Sequence, residues 1–130
     1  MILHLKIIGL LLVILACIHA IFPRYFDWKN DLAPLNLINR QMMYVHTFFV
    51  AFVVFLMGVL CWTSPEDLVQ TALGKKICFG FGVFWFARLV IQFFGYSTEL
   101  WRGRTFETVI HVVFGVLWTY LSLVFFGVSY

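Results

Sequence analysis

Four apolar runs, each about twenty residues long, leave this chain few ways to fold. They cover residues 2–22, 41–62, 77–96 and 106–128. At 1.5 Å per residue, a helix of about 20 residues crosses the roughly 30 Å of hydrocarbon in a bilayer. The runs are continuous and do not alternate apolar with polar, which excludes a spanning β-barrel. Composition agrees: 63% of the 130 residues are hydrophobic and 12% charged, against about a quarter charged in soluble domains. The expectation is an all-α integral membrane protein. It forms a single domain over residues 1–130, an antiparallel bundle of four transmembrane helices with short loops.

The first run, MILHLKIIGLLLVILACIHA, has the lysine, apolar stretch and small residue of a secretory signal. Its nearly full spanning length favours a retained helix instead. Residues 23–40 mix Tyr25, Phe26 and Trp28 with Arg24, Asp27 and Lys29, a composition suited to the headgroup layer. Residues 65–73 predict a short surface helix, with Ser64 as N-cap, Pro65 in the first turn and Asp67 at the capping-box position. Gly74 is expected to stop it. Residues 97–104 form the third loop.

Basic residues give the orientation. Arg24, Lys29, Arg40, Arg102 and Arg104 flank the face of loops one and three, while Lys6, Lys75 and Lys76 flank the other. The excess predicts loops one and three in the cytoplasm, with both termini outside. Cys17, Cys61 and Cys78 form no CxxC pair and no zinc spacing. Cys61 and Cys78 fall near one face and read as small apolar packing residues rather than a disulfide.

Polar residues inside the runs are the candidate site. The segment ETVIHVVFGVLW at 107–118 carries a carboxylate and an imidazole four residues apart. Because successive helices alternate in direction, His19, His46 and His111 all fall roughly 6 to 10 Å inside the loop-one face. Gln92 lies at a comparable depth, and His4 lies near the opposite face. Glu107, His111, Gly115 and Trp118 share one helical stripe; Arg88, Gln92, Gly95 and Glu99 share another. Arg88 sits in mid-segment, where a translocon scale charges about 2.5 to 3.5 kcal/mol for Arg, so an interior position with a partner is expected. Glu107 is the nearest acid by depth. The predicted cluster has His46, His111, Arg88 and Glu107 pointing inward and His19 and Gln92 beside them. Tyr44, Thr47 and Thr108 complete the hydrogen bonding.

Three functional readings follow. In the first, His46 and His111 ligate a haem from both sides while Arg40 or Arg104 meets its propionates. A variant has His19, His46 and His111 holding a transition metal, with or without Glu107. The Glu107–His111 spacing is one residue longer than the Glu-x-x-His of di-iron bundles and occurs once, which counts against that centre. The second reading is a non-enzymatic accessory or scaffold subunit whose polar groups join its helices, with a membrane protein or a second copy as partner. The third is a small transporter or a lipid- or quinone-binding protein.

Catalysis has no motif to rest on, since phosphate loops, GxSxG and HExxH are all absent from the sequence. The net charge of +3 is spread over the loops, so a nucleic-acid partner is not expected. In FGFGVFWF, residues 79–86, Gly80 and Gly82 are expected to permit close helix approach.

Overall fold

The computed structural model describes residues 2–94 and 105–130, and every regular element among them is helical. Four helices are long and apolar enough to cross a membrane: α1 (Ile2–His19), α4 (Leu37–Thr63), α6 (Ala72–Phe94) and α7 (Thr105–Ser129). Three are short: α2 (Phe22–Tyr25), α3 (Trp28–Asp31) and α5 (Pro65–Gln70). The chain divides into two units, one holding residues 3–65 and the other mainly residues 66–130.

In the first unit, α1 and α4 run antiparallel. Gly9 lies against Gly58 and Trp62, and Val13, one turn further along α1, lies against Gly58. The buried residues of α1, Leu5, Ile8, Gly9, Leu12, Leu15 and Ala16, recur at three- and four-residue intervals and make one stripe. Val54, Met57, Gly58 and Cys61 make the matching stripe on α4. The two glycines set the helix separation. A Cβ on Gly9 would stand 2.8 Å from the Gly58 carbonyl oxygen, and one on Gly58 would stand 2.8 Å from that of Gly9. Small residues at such a contact let backbones approach as no larger side chain would.

The α1–α4 connection is more ordered than a bare surface loop. Pro23 sits in the first turn of α2, where its missing N–H is no loss. Asp27 then takes the left-handed conformation, φ 53°, and its carboxylate accepts from Asn30 Nδ2 at 3.0 and 3.2 Å. Asp is among the few non-glycine residues that tolerate this region, because its short polar side chain bonds locally. The turn places Trp28, a buried residue, edge-on to Tyr44 with ring centroids 5.4 Å apart.

In the second unit, α6 and α7 also run antiparallel. Phe79 and Phe81 meet Phe126 and Phe125, Trp85 meets Trp118, and Phe93 meets His111. Gly82 admits the Phe126 ring, which a Cβ there would approach to 2.8 Å. Gly80 faces open space instead, with nothing within 4 Å of a built Cβ, so only one of the two expected glycine contacts exists.

The start of α6 differs from the sequence expectation. The short helix ends at Gln70 rather than 73, and α6 begins at Ala72 rather than 77. Thr71 is the reason. Its hydroxyl accepts the Gly74 backbone N–H at 2.9 Å, the geometry of an N-cap bonding N3. Gly74 therefore lies inside the first turn of α6 and stops nothing. It is glycine because a Cβ there would strike the Asp67 carbonyl and the Leu68 backbone at the α5–α6 corner.

Candidate functional site

Residues 88 and 92 are one turn apart on α6, and residues 111 and 118 lie two turns apart on α7, so each pair shares a face. The antiparallel pairing brings these faces together around Gln92, which is only 6% exposed. Its Oε1 accepts from Trp118 Nε1 at 3.3 Å and from Arg88 Nη1 at 3.4 Å. Its Nε2 donates to His111 Nδ1 at 2.9 Å and to the His111 carbonyl at 3.3 Å. Arg88 also lies over the Trp118 ring, 5.2 Å from its centroid, where the π face attracts its charge.

The amide orientation follows from these partners. Indole and guanidinium nitrogens are donors only, so the atom between them is the amide oxygen. The amide nitrogen then faces His111, whose carbonyl can only accept. His111 Nδ1 therefore accepts as well and the ring proton sits on Nε2. One buried amide uses both hydrogens and its oxygen in linking two helices, as a buried polar group must to avoid a desolvation cost.

An aromatic stack continues the layer. Trp118 lies between Phe114 and Trp85, with centroids 5.5 and 5.0 Å away and planes within 14° and 11°. Trp85 is 2% exposed, and its Nε1 has no hydrogen-bond partner among the described residues. Gly115 fits beneath Phe93, whose ring tip would lie 3.1 Å from a Cβ there.

Among the described residues, none of the remaining predicted site residues is a hydrogen-bond partner of Gln92. Glu107 is exposed in the first turn of α7 rather than buried against Arg88. The unsatisfied N–H groups and positive dipole end of a helix start favour a carboxylate there without an arginine. Gly95, Glu99, Arg102 and Arg104 lie outside the described residues.

His19 and His46 belong to the α1–α4 unit. His19, half-buried, donates from Nδ1 to the Leu15 carbonyl at 2.8 Å; His46, exposed rather than buried, donates to that of Met42 at 3.0 Å. Each bond runs back four residues along its own helix. Arg40, expected near haem propionates, donates to the Ala33 carbonyl at 3.3 Å. Tyr44 packs on Trp28. No set of three or more His, Cys, Asp or Glu placed to share a metal ion occurs among the described residues. No disulfide joins the three cysteines, of which Cys61 and Cys78 are buried.

A groove of about 310 Å³ opens between α1 and α4. Ala16, Ala20 and Ala51 leave its floor low, Phe48, Phe52 and Phe55 wall its apolar length, and His19, Tyr44 and Thr47 line it near the connection. Sequence reading placed Tyr44 and Thr47 in a polar core and missed this groove. The alanines at 16 and 20, one turn apart, were its available trace.

Compared with known protein families, curated proteins and solved structures, the chain matches none.

Proposed function

We propose that this is a multi-pass integral membrane protein acting as a non-enzymatic accessory or scaffold subunit. Its four long helices cross the bilayer in alternating directions as a bundle, with loops one and three on the cytoplasmic side. Large apolar side chains such as Phe48, Phe49, Val53, Val113, Val116 and Leu123 are exposed, which suits acyl chains and would form oversized apolar patches in water.

The observation that carries the scaffold reading is the Gln92–His111 bond. It turns the ring's proton onto Nε2, whereas a histidine that ligates iron through Nε2 presents a lone pair there and donates from Nδ1. The His111 imidazole of α7 is thus engaged in holding α6. A lock of this kind serves a subunit that must keep one shape for a partner or a second copy.

Two measurements test this. The full chain purified in mild detergent and incubated with haemin should show no shifted Soret band, and metal analysis should find no stoichiometric metal. Solubilised from its native membrane, it should migrate as a stable assembly larger than one chain. A haem spectrum, or a lone monomer, overturns the reading.

A further inference from the structure

The groove between α1 and α4 has a chemistry of its own. The Leu15 carbonyl can only accept, so His19 donates to it from Nδ1 and Nε2 is left as an acceptor. Neither that Nε2, the Tyr44 hydroxyl nor the Thr47 hydroxyl has a hydrogen-bond partner among the described residues. All three residues line one end of the groove, and the rest of its wall is alanine, phenylalanine, Pro23 and Cys17. Among the described residues no Lys, Arg, Asp or Glu lines it. Within its own unit α4 buries no residue before Val54.

We infer that this groove holds a bilayer lipid whose head is an uncharged hydroxyl. One acceptor and two hydroxyl donors complement a single alcohol: its O–H donates to His19 Nε2 and its oxygen accepts from Tyr44 and Thr47. A carbonyl head would leave the imidazole without a donor. A phosphate head would meet no cation in the groove and would have to shed water at high cost. The tail lies along Ala51, Phe48, Phe52 and Phe55, where the alanines leave room and the rings supply contact area. At about 310 Å³ the groove is at the small end of ligand sites, enough for a head and the first part of a chain. Entry is lateral, from the membrane.

The inference rests on membrane insertion, which incorporation into nanodiscs reports independently of ligand binding. The test uses full-length protein in phosphatidylcholine nanodiscs and three photoprobes with one diazirine-bearing alkyl chain: the free alcohol, its methyl ether and its phosphate monoester. The alcohol should label residues 16–23 and 44–55 about threefold to tenfold more than either other probe, the range set by about one net hydrogen bond. His19→Phe should abolish the advantage over the ether, whereas Tyr44→Phe and Thr47→Val should each lower labelling by alcohol and ether alike, because the ether oxygen still accepts from both hydroxyls. Equal labelling by alcohol and ether, preference for the phosphate, or adducts spread evenly over the outer helix faces would each overturn it. The probe contrast is read on the unaltered chain, so a variant that fails to fold does not blunt the test.

Discussion

Gly9 and Gly58 meet backbone to backbone, each placed so that a Cβ would stand 2.8 Å from the other's carbonyl oxygen. Neither backbone can yield without parting the helices. Gly9→Ala and Gly58→Ala should each lower stability by about 1–3 kcal/mol, the usual range for overpacking. Gly80→Ala, built into open space, should be neutral or slightly stabilising through better helix propensity. Thermal unfolding of the three variants in one detergent checks the order, and equal losses at Gly58 and Gly80 would refute the contact.

Gln92→Leu should cost about 1–3 kcal/mol, because Trp118 Nε1 and His111 Nδ1 lose their buried partner. Gln92→Glu is the sharper probe. A carboxylate oxygen facing His111 demands a donor, so the proton should move onto Nδ1. Nitrogen chemical shifts of labelled His111 should report Nε2–H in the parent and Nδ1–H in the Glu variant. An Nδ1–H signal in the parent would mean that the amide is reversed.

The two stacked indoles should respond differently. Trp118→Phe removes ring area together with a bond to Gln92 Oε1, whereas Trp85→Phe removes an indole whose N–H has no described partner. The lost area costs both sites, but only at residue 85 does relief of a buried donor, about 1–3 kcal/mol, offset it. Trp85→Phe should therefore be the milder change in chemical denaturation. If it proves the more damaging of the two, its N–H is paired after all.

Thr71→Val should uncap α6 at a cost of about 1 kcal/mol, and Thr71→Ser should retain the cap. Hydrogen exchange at the Gly74 amide is the local readout. It should quicken in the valine variant and stay slow in the serine variant. Unchanged protection with valine would show that the hydroxyl does not hold that amide.

The four long helices were legible because each coincides with a continuous apolar run of about twenty residues, but their ends were not. Leu37 to Arg40 and Ala72 to Lys76 continue the helices past the apolar runs, since backbone bonding does not stop where apolar side chains do. Thr71 was overlooked because a cap is a matter of local dihedrals, and Gly74 was read as a terminator when close approach was its purpose. Gly80 and Gly82 are two residues apart, about 200° around a helix, so only one could face α7. Helical spacing did group Arg88 with Gln92 and His111 with Trp118. It misled on Glu107, because matching charge by depth ignored the amide groups waiting at a helix start.

The buried amide also dictates alignment along the hairpin axis. Sliding α7 by one turn would bring Gly115 opposite Gln92, exchanging an imidazole for a residue with no side chain to answer it. Apolar stripes alone would tolerate that slip, since valine and phenylalanine recur at every level. A single keyed position on each rod turns a greasy, sliding contact into a joint with one setting.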